Sequence, residues 1–118
     1  MASTRGPADF AAFVECCGLA NKVSLVIELS VAPDGHAKLS AIMRAHAART
    51  LAEEPGCERF DLLQPQGEAG PDFTRLILVE VFTNADALAA HRAMPRMPAH
   101  RAEIAPLISH RKVDFCTL

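Results

Sequence analysis

Along residues 23 to 31 the chain reads VSLVIELSV, in which Val23, Leu25, Ile27, Leu29 and Val31 alternate with Ser24, Val26, Glu28 and Ser30. A period of two sends alternate side chains to opposite faces of a pleated strand, so Lys22 to Val31 is predicted as a strand with one wholly apolar face. Pro33-Asp34-Gly35 is turn chemistry, and beyond it the period changes. Leu39, Ile42, Met43, His46 and Thr50 recur at helical spacing while Lys38, Arg44 and Arg49 point elsewhere. This predicts a helix of about five turns, at ~3.6 residues each, running to Glu54. Pro55 pushes Glu54 out of the α region, and Gly56 is able to take the left-handed conformation that ends a helix. The corner is expected to return a strand beside the first, an architectural role.

That returning strand is CERFDLLQ, 57 to 64, with Phe60 and Leu62 on one face and Arg59 and Asp61 on the other. The stretch from Pro65 to Asp72 suits a hairpin loop. FTRLILVEVFT, 73 to 83, is rich in β-branched and aromatic residues and reads as a strand interrupted by one carboxylate, Glu80. Asn84 is a good N-cap and Asp86 suits the first turn of a helix that continues through Ala87, Leu88 and His91 to about Met94, where Pro95 ends it. A further helical piece is predicted from Pro98 to about Leu107. The tail SHRKVDFCTL, with Val113, Phe115 and Thr117 alternating with Lys112, Asp114 and Cys116, is predicted as a last strand. Upstream, Phe10, Phe13, Val14 and Cys17 form the stripe of a short helix between Pro7 and Gly18. Residues 1 to 20 are therefore read as an N-terminal extension and 21 to 118 as the domain proper.

Without the extension the order is βαββαβ, an α+β arrangement of ferredoxin-like type, in which a four-stranded antiparallel sheet carries both helices on one face. Two helices cover one side only, while strands one and three are apolar enough to be buried on both, with Val26, Leu76, Leu78 and Phe82 in need of cover. A homodimer that pairs through the open sheet face into a shared barrel-like core is the expected remedy.

Composition narrows the classes of function. At 118 residues there is room for one domain, and 50% hydrophobic against 22% charged residues disfavours disorder and coiled coil. The net charge of -2 comes from interspersed acids and bases, and Trp and Tyr are absent, so no nucleic-acid partner is expected. The four cysteines contain no CxxC pair and are read as reduced, mostly buried thiols. With no HxH, HExxH or clustered acidic loop, no metal and no cofactor are expected. Nothing approaches the ~18 apolar residues of a membrane span, and Asp9 and Glu15 break any signal-like run, so the expectation is a cytoplasmic protein with no membrane partner.

The segments VSLVIELSVAPDGHAKL, EEPGCERFDLLQ and ILVEVFTNADALAAHRAMP, in this order and spacing, resemble the antibiotic biosynthesis monooxygenase family over roughly residues 22 to 115. The resemblance implies a ferredoxin-like protomer paired as a dimeric α/β barrel. It also implies a choice of chemistries, because the family includes oxygenases that turn hydroquinones or hydroxyaromatic polyketides into quinones without metal or flavin, relatives that degrade haem, and relatives acting on a signalling sugar. The haem-degrading members depend on an Asn, a Trp and a His, and the polyketide oxygenases use Trp and Tyr. A chain without Trp or Tyr is not expected to degrade haem and departs from the polyketide pattern.

Within that resemblance His91 matches the family's histidine after strand three. Such an imidazole can take a phenolic proton, and the resulting phenolate reduces oxygen far more readily than the phenol; the alternative is a histidine that braces the Pro95 corner. His46, on the apolar stripe with Leu39, Ile42 and Met43, is either a second ring on the same cavity or a core histidine satisfied by a carbonyl. Glu80 matches a family glutamate. With Glu28 it either orients a cavity His or Arg, or pairs structurally with Arg59 or Arg75. Many relatives follow the histidine with Pro-His-Phe, whereas this chain has Pro95-Arg96-Met97, with His100 as a nearby substitute for the missing ring. Leu39, Met43, Phe82, Arg96 and Arg92 are the expected substrate-binding residues, for a small aromatic or quinone-like ligand. Arg96, Arg92 and Arg101 also fit a solvated basic loop, or the anion site of an isomerase or degradation enzyme for a phosphorylated or ketonic metabolite. A non-enzymatic ligand-binding dimer is the third reading.

Overall fold

The computed structural model describes residues 21–117, so the helix predicted near Phe10 lies outside the described residues. In chain order the elements are β1 (Val23–Val31), α1 (His36–Glu53), β2 (Cys57–Leu63), β3 (Gln66–Gly67), β4 (Gly70–Pro71), β5 (Arg75–Phe82), α2 (Ala85–Arg92), α3 (Met97–Ile104) and β6 (Ile108–Thr117). Short 3-10 turns at Pro33–Gly35 and Ala105–Leu107 lead into α1 and β6. The main sheet is antiparallel in the order β2-β5-β1-β6, the ferredoxin-like arrangement expected from the βαββαβ pattern. β3 and β4 add a two-stranded ladder within the predicted hairpin loop.

Local signals set the boundaries. Asn84 caps α2 by accepting a hydrogen bond from the Ala87 amide at 2.8 Å, and Asp86 stands in the first turn. Pro55 ends α1 as expected, but Gly56 serves differently from the expectation. Among the described residues only Gly70 has a positive φ. Gly56 is needed for space, because a Cβ there would stand 2.6 Å from the Cβ of Ala87 on α2.

Register decides which face each side chain takes. Leu25, Ile27 and Leu29 on β1 stand opposite Glu80, Leu78 and Leu76 on β5, and Val23 stands opposite Phe82. Leu76, Leu78 and Phe82 thus share the helix-covered face, where they pack in one core with Leu39, Met43 and Leu88. This corrects the expectation that these three need cover on the far side: residues two apart on a strand share a face, and the apolar run of β5 is long enough to supply both. The far face instead carries Val26, Ile77, Val79 and Val81 at its centre. Around them lie the Arg75–Glu28 pair at 3.1 Å and the Arg59–Asp61 pair.

Candidate active site

The corner that ends α1 also begins the site. Glu54, the first residue beyond the helix, has an extended backbone (φ -117°, ψ 99°), the conformation that the following proline favours. Its side chain is buried and reaches α2 and the loop behind it. Oε1 lies 2.9 Å from His91 Nδ1, and Oε2 accepts a 2.6 Å hydrogen bond from Arg96 Nη2. The same Nη2 donates to Thr50 Oγ1 at 3.1 Å, and Thr50 in turn donates to the carbonyl of His46 at 2.8 Å. A carboxylate neutralised by a guanidinium only accepts hydrogen bonds, so the His91 proton sits on Nδ1 and the lone pair is left on Nε2.

His91 belongs to a cluster of rings. His46 lies 5.5 Å from it, centroid to centroid, and stacks on His100 at 3.8 Å with the planes 10° apart. Phe60 meets the edge of His46 at 5.4 Å, and Phe82 lies 5.2 Å from His91. Burial pushes the His46 imidazole down to about 3, helped by the neighbouring titratable rings of His100 and His91, with which it would share charge if protonated, and by the Arg96 guanidinium. His91 and His100 are also lowered, again mainly by burial; Glu54 pulls His91 back only in part. The three rings are therefore neutral at neutral pH, the state in which an imidazole accepts a proton.

The rings face a chamber of about 570 Å³ between the sheet and the helices. Its walls are largely apolar, with Ile27, Leu29, Leu78, Ile104, Val113 and Phe115 among them. Glu80 projects into the same space, and burial raises its carboxyl to about 7 against the partial opposition of Arg111. A buried acid half-ionised at neutral pH can both give and take a proton or hydrogen bond.

Of the residues singled out from sequence, His91, His46, Glu80, Met43 and Arg92 line this chamber. Leu39 and Phe82 are fully buried in the core beside it and are not on its wall. Arg96 is turned away into its pairing with Glu54. Glu28 lies on the opposite face of the sheet with Arg75, so it does not join Glu80, and the proposed partners of Glu80 are engaged elsewhere. Cys57 is a buried free thiol pushed up to about 11 by burial, and Cys116 is half-buried and free. Among the described residues no three His, Cys, Asp or Glu are grouped to hold a metal ion.

Sequence reasoning missed Glu54 as a site residue, although a signal was present. Two adjacent carboxylates at a helix C-terminus oppose the helix dipole, which implies a specific cationic or hydrogen-bonding partner. It also missed Arg111, which occupies an apolar-face position two residues before Val113.

No curated protein matches the sequence. Among solved structures, a candidate antibiotic biosynthesis monooxygenase from Caulobacter crescentus superposes with a TM-score of 0.76 at 21% identity, covering 84% of this chain and 91% of that one. A candidate monooxygenase of the same kind from Nitrosomonas europaea gives 0.72 at 24% identity, with 84% and 91% covered. A variant of SnoaB, a cofactor-independent oxygenase from Streptomyces nogalater, gives 0.68 at 24% identity, with 84% and 94% covered. These likenesses carry the fold. The sequence itself matches the antibiotic biosynthesis monooxygenase family model over residues 22–103, from the threshold of β1 nearly to the end of α3. That span is well over half the chain and takes in Glu54, Glu80 and all three stacked or tilted histidines, and on this footing the protein belongs to the antibiotic biosynthesis monooxygenase family.

Proposed function

We propose that this protein is a cofactor-independent monooxygenase of a small hydroxyaromatic or quinol, working as a homodimer paired through its open sheet face. The carrying observation is His91, neutral, oriented by Glu54 through Nδ1 at 2.9 Å, and lining a largely apolar chamber of about 570 Å³. That volume lies within the ~300–1,000 Å³ of small-molecule sites. Membership of a family that includes such oxygenases supports the reading, as does the similarity to the SnoaB fold. Val26, Ile77 and Val79 on the far face support the pairing.

In this reading Nε2 of His91 accepts the phenolic proton, and Glu54 stabilises the imidazolium that forms. The phenolate passes one electron to dioxygen, and the resulting superoxide and phenoxyl radical join at a ring carbon that carries hydrogen, para to the oxygen in a phenol or naphthol and ortho to it in a hydroquinone. His91 returns its proton to the peroxide. Loss of the hydrogen on that carbon, with cleavage of the O–O bond, leaves a second carbonyl. One oxygen atom stays in the quinone and the other departs as water, so no outside reductant is needed.

Oxygen uptake by the purified protein with a panel of naphthols and hydroquinones tests this. Wild type is expected to consume oxygen in step with quinone formation, and His91→Ala to lower kcat by about 10²–10⁴-fold, the usual contribution of a general base. No uptake across the panel, or unchanged uptake in His91→Ala, would defeat the assignment.

A further inference from the structure

Three times in this chain a histidine is followed directly by an arginine: His91-Arg92, His100-Arg101 and His110-Arg111. The pairs belong to α2, α3 and β6, and all six residues border the one chamber, although the register sends the His110 side chain, opposite Ser30, toward the other face of the sheet. Arg111 is the most informative of them. It stands opposite Leu29 of β1, on the helix-facing side of β6, in the same row as Val113 and Phe115, which face Ile27 and Leu25. An alternating strand calls for an apolar residue there. Arg101 donates from Nη2 to the carbonyl of Arg92 at 3.1 Å, which draws α3 and the end of α2 together.

Among the described residues, the guanidiniums of Arg101 and Arg111 share the chamber wall with one carboxyl, that of Glu80. Arg92 and Arg101 both act unfavourably on Arg111, and Glu80 is the carboxyl that opposes them. Like charges gathered beside an apolar chamber are stabilised by an incoming anion, and the planar fork of arginine matches a carboxylate in bidentate fashion. The arrangement also has direction. Glu80 and Phe115 flank Leu25, whereas Arg111 flanks Leu29, four residues further along β1 and therefore about 13 Å away. Phe60, opposite Glu80, is also the ring that meets His46, so the histidine cluster lies toward the Leu25 end.

We infer that the chamber takes an aromatic acid: a fused-ring carboxylate gripped by Arg101 and Arg111, whose hydroxyl points toward His91. The role of the hydroxyl rests on the monooxygenase reading, but the grip on the carboxylate does not, and binding alone tests it.

Equilibrium binding to the full chain, followed by ligand fluorescence, compares a hydroxynaphthoate with the naphthol that lacks its carboxylate. The acid is expected to bind at least about ten-fold tighter, equivalent to ~1.4 kcal/mol, with an advantage that shrinks as salt is raised. Arg101→Gln and Arg111→Gln, both exposed enough to leave the core intact, should each reduce the ratio of acid to naphthol affinity. Equal affinities in wild type, absence of binding by either compound, or a preference that survives both substitutions would overturn the inference. Oxygen uptake separates the two readings. Naphthol turnover with no benefit from the carboxylate removes the arginine grip and leaves the monooxygenase standing; a salt-sensitive carboxylate preference without turnover does the reverse.

Discussion

Glu80 and His46 line one chamber and are pushed in opposite directions by the same burial, because desolvation penalises the charged form of each. The Glu80 carboxyl ordinarily titrates near 4.5 and here is raised to about 7. Below 4.5 the folded and unfolded chains both hold its proton, and no linkage cost arises. As pH rises toward about 7 the unfolded chain ionises freely while the folded one does not, so stability is lost across that window and the loss is constant above it. Glu80→Gln removes this slope. Relative to wild type the variant should gain little at pH ~4 and roughly 3 kcal/mol by pH ~8, the worth of the shift at about 1.4 kcal/mol per unit. Urea unfolding at several pH values checks it, and a gain that is flat with pH would refute the buried carboxyl. His46 gives wild type and variant the same opposite slope, with stability falling as pH drops from 6.5 toward about 3, and it cancels in the comparison.

At the scale of elements, the meeting of the α1 corner with α2 governs the site. Gly56 touches Ala87 so closely that Gly56→Ala must displace α2 or the corner, since the new Cβ would stand 2.6 Å from another. Overpacking of this kind costs about 1–3 kcal/mol. The displacement also separates Glu54 from His91, so denaturant midpoint and oxygen uptake should fall together; a variant as stable and active as wild type would show that the contact yields freely. Much of this was legible beforehand. Alternation in VSLVIELSV and helical spacing from Leu39 to Thr50 carry β1 and α1, and Asn84 and Pro95 bracket α2. The faces of β5 were not legible, because Leu76 to Val79 is apolar at every position and a period of two cannot be read from a continuous run. The Glu54 pairing escaped for a different reason: its partners are 37 and 42 residues away, and no local pattern encodes a contact made by folding.

For the whole molecule, the sheet is the dividing plane. Among the described residues no helix is long and apolar enough to cross a membrane, and the half-buried Val26, Ile77 and Val79 form an apolar centre on the face away from the helices. If that centre joins two copies, Val79→Lys should convert dimer to monomer in sedimentation equilibrium while leaving the far-ultraviolet circular dichroism unchanged, because lysine in a desolvated contact lacks a partner. A wild-type protein that stays monomeric at high micromolar concentration would rule the pairing out. The chamber lies on the other side, between the sheet and the helices. On the proposed reading, recognition of a ligand and recognition of another copy are written on opposite surfaces of the same four strands, in alternate letters of the same sequence. Either can be rewritten by substitution at every second residue without erasing the other, and a lineage built on this scaffold is free to change what it binds while keeping the company it keeps.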